Sequence, residues 1–188
     1  MGNLKVIGGE RRGFPLASPR SAVLRPTSNK VREALFDILG PEIVGARVLD
    51  LFAGTGAVGI EALSRGAAEC LFIESNPAIA ALVRTNLQTC RLQERGKVRV
   101  GSLPDALDLL DRPDFDLVFL DPPYEAELGA EVLERLGSRE ILASSGKVVF
   151  EHRKSRARRG PFKRLEHRRT VRYGDSELSF FVARGAEE

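Results

Sequence analysis

Cysteine, histidine and long apolar runs are all scarce in this 188-residue chain, and each scarcity removes a class of protein. The two cysteines, Cys70 and Cys90, lie inside apolar stretches without metal-ligand spacing, which predicts reduced residues in or near the core and no disulfide framework. The two histidines, His152 and His167, also lack partners at ligand spacing, so no metal is expected. No stretch approaches the ~18 apolar residues that span a bilayer. Residues 1–13 lack the apolar core of a signal peptide, and Val6 stands where a myristoylation motif wants Ser or Thr. A cytoplasmic protein with no membrane partner is expected. There is no internal repeat and no low-complexity tract. What remains is average globular composition, 43% apolar and 29% charged, in a length that suits one domain of ~100–200 residues.

The formal net charge of +3 divides unevenly along the chain. Residues 1–32 sum to +6, residues 33–150 to −8, residues 151–172 to +8 and residues 173–188 to −3. Two basic flanks therefore surround an acidic middle. Such flanks suit a polyanion, because phosphate neutralisation with counterion release supplies most non-specific nucleic-acid affinity; a solvated charged surface is the alternative.

The middle reads as alternating strands and helices. Short apolar runs at residues 46–52, 70–74, 98–100, 115–120 and 146–150 suit buried parallel strands, and residues 57–65, 77–90, 103–110 and 128–136 read as helices between them. Asn76 followed by Pro77 is a helix start, and Gly66 a helix end. The pattern predicts an α/β fold with a doubly wound, mostly parallel, seven-stranded Rossmann-like sheet. Residues 170–173 and 178–182, separated by Gly174-Asp175, close it as an antiparallel hairpin. Residues 1–40 break the rhythm. They read as an appendage, with a small hairpin around Gly8-Gly9 and Gly13 and a helix over 29–39 that turns Val31, Leu35, Ile38 and Leu39 inward, attached to one domain over 41–188.

Gly54-Thr-Gly56-Ala-Val-Gly59 matches G-x-G-x-x-G between a strand and a helix, with Glu74 twenty residues after its first glycine. Alone, that pattern favours a nicotinamide dinucleotide. Asp50, however, puts a carboxylate at the strand end, where a pyrophosphate would be repelled and a cofactor bearing ammonium and sulfonium groups attracted. S-adenosylmethionine (AdoMet) carries both charges, and Glu74 suits its ribose hydroxyls. The string from Val48 to Gly56, with Asp50, Phe52, Ala53, Gly54, Thr55 and Gly56, resembles the first motif of class I AdoMet-dependent methyltransferases. Glu74, followed by Ser75 and Asn76, stands in the second motif. Ser102 and Leu103 fall where that family packs on adenine, without the Asp often found there.

Asp121-Pro122-Pro123-Tyr124 ends a further strand. Two prolines remove two backbone donors and stiffen the turn, leaving a carboxylate and carbonyls as acceptors for a group with two N–H bonds. An exocyclic base amine is such a group, and Tyr124 would stack on an extruded base, an interaction worth ~1–3 kcal/mol. The string is similar to the [D/N/S]-P-P-[Y/F/W] motif of amino-group methyltransferases. Residues 6–13, Leu24-Arg-Pro-Thr27 with Val31 to Phe36, and Asp50 to Arg65 together resemble the RsmD family, bacterial enzymes that methylate N2 of a guanine in 16S ribosomal RNA. The resemblance runs from residue 4 to about 183. It implies AdoMet as cofactor, 16S rRNA or a small-subunit particle as partner, Arg11, Arg12, Arg25 and Thr27 on the RNA side, and Arg32 and Glu33 either closing the cofactor pocket or on the helix surface. A monomer is expected. The alternatives are a DNA adenine or cytosine N-methyltransferase and a non-catalytic RNA-binding assembly factor.

Overall fold

A computed structural model describes residues 4–19, 28–110, 114–123, 126–153 and 162–184. They hold seven strands and four α-helices in two compact units, Met1–Gly101 and Ser102–Glu188.

In the first unit, β1 (Arg47–Leu51), β2 (Glu69–Glu74) and β3 (Gly96–Val100) pair in parallel in the order β3-β2-β1. Parallel neighbours require crossovers, and α2 (Ala57–Ser64) and α3 (Pro77–Thr89) supply them. Helix α3 starts where the sequence places it, because the Asn76 side chain accepts from the Ala78 and Ile79 N–H groups. Val48, Leu49 and Leu51 of β1 and Phe72 and Ile73 of β2 are fully buried, as continuous apolar strands covered on both faces must be. Helix α1 (Asn29–Leu39) is capped by Ser28, whose hydroxyl accepts from Val31 N–H. Its buried residues are Val31, Arg32, Leu35, Phe36 and Leu39; Ile38 is half-exposed, and Phe36 takes the inward place expected of it.

Residues 4–17 form the expected hairpin, with Lys5 bridging Pro15 and Val6 N–H donating to Phe14 O at 3.0 Å. The hairpin is held by polar groups of α2. Glu61, fully buried, accepts Ile7 N–H at 2.8 Å, Gly8 N–H at 2.7 Å and Arg65 Nε–H at 2.8 Å, with Arg32 Nε 3.7 Å away. Ser64 accepts Arg11 N–H and donates to Gly8 O. Arg32 is fully buried and not a charge on the helix surface: it donates to Lys5 O and Asn29 Oδ1, and burial pulls its pKa down while Glu61 pushes it back up. Glu33 is exposed.

The second unit contains β4 (Phe115–Leu120), α4 (Ala126–Ser138), β5 (Leu142–Arg153), β6 (Leu165–Tyr173) and β7 (Ser176–Ala183). The order is β4-β5-β7-β6, parallel between β4 and β5 and antiparallel thereafter, with the predicted turn at Gly174-Asp175. Strand β5 extends seven residues beyond the five predicted, because Leu142 and Lys147 to Phe150 pair with β4 while Lys147 to Arg153 pair with β7. The helix expected over 103–110 is a 3-10 turn at Asp105–Leu109. Among the described residues, no helix is long and apolar enough to cross a membrane, and no group of three or more His, Cys, Asp or Glu is placed to hold a metal.

Gly9 has φ +73°, and a Cβ there would lie 1.9 Å from Ser64 O, a backbone atom that cannot give way. Gly13, at φ +88°, faces open space. Gly9→Ala is therefore expected to cost at least ~2 kcal/mol and Gly13→Ala only the ~1–2 kcal/mol of left-handed backbone. Urea unfolding of both variants checks the difference; equal losses would show that the hairpin does not rest on α2 as described.

Candidate active site

The turn from β1 into α2 carries the glycines. Phe52 sits at φ +59°, a region costly for a bulky residue, and Gly54 and Gly56 at φ +54° and +75°. Gly56 is the N-cap of α2 and has no side chain to satisfy the orphan N–H groups of the first turn. Asp50 does so instead: its Oδ2 accepts Gly59 N–H at 2.9 Å. The carboxylate is almost completely buried, and burial first, then the nearby Glu74 charge, push its pKa up to about 7, while the Gly59 bond pulls the other way. A cationic partner beside Asp50 would relieve that cost.

Glu74 ends β2, half-exposed, with Oε2 accepting Gly54 N–H at 3.0 Å and Oε1 accepting Asn76 N–H at 2.9 Å. Ser75 Oγ lies 3.5 Å from Oε1. Two backbone donors fix this carboxylate beside the loop, and each oxygen retains acceptor capacity for a ligand hydroxyl. The third glycine serves packing: a Cβ on Gly59 would meet Phe72 at 2.4 Å and Cys70 Sγ at 2.6 Å. Asp50, Phe52, Ala53, Gly54, Thr55, Gly56, Glu74, Ser75 and Asn76 are thus gathered at the carboxyl ends of β1 and β2, where doubly wound folds bind ligands. This donor set fits AdoMet, with acid for the cation, acid for the ribose and glycine backbone between them.

In the second unit, Asp121, Pro122 and Pro123 follow β4 directly, with the Asp121 and Pro123 side chains exposed and Pro122 half-buried. Gly129 of α4 lets Pro122 settle: a Cβ there would lie 3.1 Å from Pro122 Cγ and 2.9 Å from Phe150. Ser102 and Leu103 open this unit, with Ser102 O accepting Ala106 N–H. Tyr124, Arg25 and Thr27 lie outside the described residues.

Arg11 and Arg12 sit at the hairpin tip, by Ser64 at the last turn of α2, about 10 Å of helix from the glycine loop at its start. Arg12 is exposed; Arg11 is half-buried, 3.9 Å from Glu10. In the 151–172 flank, Arg164, Arg168 and Arg172 pair with Glu140, Glu166 and Glu177, and Arg169 lies over Phe180. Residues 154–161 of that flank are outside the described residues.

Sequence reasoning missed Glu61, Asn86 and Gly129. Each carried a signal: a charge inside an otherwise apolar short helix, an amide in an apolar helix, and a glycine in mid-helix at a cost of ~1 kcal/mol.

Because the folded pKa of Asp50 is raised from 3.8 to about 7, the folded state holds this proton more tightly than the unfolded chain. Stability from this group is present below pH ~4 and lost as pH rises to 7, by roughly 4 kcal/mol. Asp50→Asn keeps an acceptor for Gly59 and removes the titration. Urea titrations should find the variant more stable than the wild type above pH 7, with the gap closing toward pH 4; a gap independent of pH would refute the assignment.

Residues 4–182 match the profile of a family described as "Conserved hypothetical protein 95". The chain is 40% identical over 152 residues to the Ribosomal RNA small subunit methyltransferase D of Escherichia coli K12, covering 80% of this chain and 75% of that protein. It is 35% identical over 157 residues to the protein of the same name from Haemophilus influenzae, covering 82% and 81%. A solved structure described as "Putative methyltransferase yhhF from Escherichia coli" matches with a TM-score of 0.86 at 31% identity, over 97% of this chain and 99% of that one. With its parallel strands, glycine loop and paired acids, the chain is a methyltransferase of the Rossmann-like class I fold and belongs to the family of the small subunit rRNA methyltransferases D.

Proposed function

We propose that the chain transfers a methyl group from AdoMet to the exocyclic N2 amine of a guanine in 16S rRNA. The observation that carries this reading is the glycine loop held between two carboxylates, Glu74 bonded to Gly54 and Asp50 buried behind it, in a chain whose other strand-end motif is Asp121-Pro122-Pro123. AdoMet, when bound, supplies an electrophilic sulfonium methyl. Asp50 balances the cationic end and Glu74 accepts from the ribose hydroxyls, while the glycines let the backbone approach. Ser102 and Leu103 pack on the adenine.

The guanine amine is a poor nucleophile, because its lone pair is delocalised into the ring. Asp121 and the Pro122 carbonyl accept its two N–H bonds and pyramidalise the nitrogen for in-line attack, so that catalysis rests on positioning, which can contribute ~7–11 kcal/mol. Tyr124 stacks on the base once it is extruded. As the nitrogen takes the methyl, the methyl's bond to sulfur breaks, leaving S-adenosylhomocysteine, and the methylated amine then gives its proton to water; Asp121 orients more than it abstracts. Arg12, Arg11, Arg25 and Thr27 contact the RNA, the first two at the end of α2 remote from the glycine loop and so as phosphate contacts outside the reacting centre. The protein acts in the cytoplasm as a monomer.

Asp121→Ala is expected to leave S-adenosylhomocysteine binding within about threefold of wild type in calorimetry and to abolish methyl transfer; lost binding with normal single-turnover chemistry would refute its role. AdoMet affinity should fall below pH ~7 as Asp50 protonates, and this pH dependence should vanish in Asp50→Asn. Neutralising Arg11 and Arg12 together should weaken RNA binding and reduce the slope of log affinity against log salt by up to ~2. The decisive experiment offers labelled AdoMet with small-subunit particles from cells lacking the enzyme, with naked 16S rRNA and with DNA, and maps the methylated base. Label at guanine N2 in rRNA is expected; label in DNA adenine or cytosine, or none, would overturn the reading.

A further inference from the structure

Asn86 lies on α3, with its side chain buried and hydrogen-bonded to backbone atoms of Ala17 and Thr55. Its Oδ1 accepts Ala17 N–H at 2.8 Å, and its Nδ2 donates to Ala17 O at 3.0 Å and to Thr55 O at 2.9 Å. The orientation of the amide is settled by these partners, since reversing it would set an oxygen against two carbonyls and an NH2 group against an N–H. Both amide hydrogens are therefore committed, one to the N-terminal hairpin and one to the middle residue of Gly54-Thr55-Gly56.

The Thr55–Gly56 peptide is pinned at both ends, its carbonyl by Asn86 and its N–H by Ala53 O at 2.7 Å. Gly54 N–H is held separately by Glu74. At its other end the hairpin is anchored on α2 through Glu61 and Ser64, so Ala17 is presented to Asn86 from a fixed frame. A buried Asn that only satisfied the hairpin would have no reason to reach the loop. This one joins the two.

We propose that Asn86 is a positioning residue that couples the N-terminal hairpin to the AdoMet loop, so that hairpin docking and AdoMet binding stabilise each other. The inference rests on the reading of Phe52 to Gly56 as the AdoMet loop. Asn86 touches no substrate; it acts by holding the Thr55 carbonyl in place and by transmitting the order of Ala17 to that carbonyl. Coupling of this kind is reciprocal: if the docked hairpin raises affinity for the cofactor, the cofactor must tighten the hairpin by the same factor.

Two measurements on the full chain test this, with S-adenosylhomocysteine as the probe. In the wild type, saturating probe should slow hydrogen exchange of the Ala17 amide at least tenfold. In Asn86→Ala, and in Asn86→Asp, which keeps an acceptor for Ala17 N–H but loses both donors, the Kd for the probe and the KM for AdoMet should rise tenfold or more while kcat at saturation changes less than about threefold. The slowed exchange at Ala17 should also disappear. A lowered Tm with wild-type Kd would overturn the proposal, as would wild-type exchange at Ala17 that ignores bound probe, and the latter decides the matter even if both variants fail to fold. Failure of the wild type to bind the probe at all would instead overturn the AdoMet reading beneath it.

Discussion

The bond from Gly59 N–H to the buried Asp50 carboxylate is the constraint on which the first unit depends. A glycine loop that lets a ligand approach the backbone leaves the following helix without a capping side chain, because Gly56 has none to offer. Asp50, reaching from the end of β1, closes that deficit. It does so from a place so dry that its ionisation is costly, with a pKa of about 7. One residue thus caps α2, fixes the turn that begins at the left-handed Phe52, and stores a negative charge that a cation can stabilise. A helix cap and a charge that suits a cationic ligand thus meet in the same carboxylate, and strained or electrostatically costly residues of this sort concentrate at functional sites.

Around that turn, support arrives from the outside inward. Glu74 takes Gly54, Asn86 takes Thr55, and Ala53 O takes Gly56 N–H, so the loop has little freedom left. The N-terminal hairpin is built into this scheme through Glu61, Ser64 and Asn86, all of which spend side-chain hydrogen bonds on hairpin backbone. Glu61 balances Arg32 and Arg65 without leaving the interior, and breaking such a buried pair by removing one partner commonly costs ~3–5 kcal/mol. The hairpin is accordingly part of the framework of the first unit.

The basic flanks acquire different meanings. At the N-terminal flank, Arg32 is buried and structural, Arg11 half-buried and Arg12 exposed, so a +6 segment offers fewer free cations than its composition suggests. In the 151–172 flank, Arg164, Arg168 and Arg172 pair locally with acids. The exposed pairs Arg164–Glu140 and Arg168–Glu166 are worth only ~0–1 kcal/mol each, so a phosphate could displace them, whereas Arg172 is held by the buried Glu177; net charge alone overstates what is presented.

By itself the sequence determined the alternation of strands and helices, the glycine loop with its acids Asp50 and Glu74, the Asp121-Pro122-Pro123 turn and the hairpins at both ends. These are written in local patterns: apolar runs, caps such as Ser28 and Asn76, and glycine or proline at turns that demand them. Only the tertiary structure decided that Asp50 caps α2, that Glu61, Ser64 and Asn86 hold the N-terminal hairpin, that Arg32 is buried and that Gly129 admits Pro122. Those contacts join residues tens of positions apart, up to 69 between Ala17 and Asn86. A polar residue in a helix looks the same in sequence whether it meets water or a distant carbonyl, because its partner is chosen only when the chain closes around it.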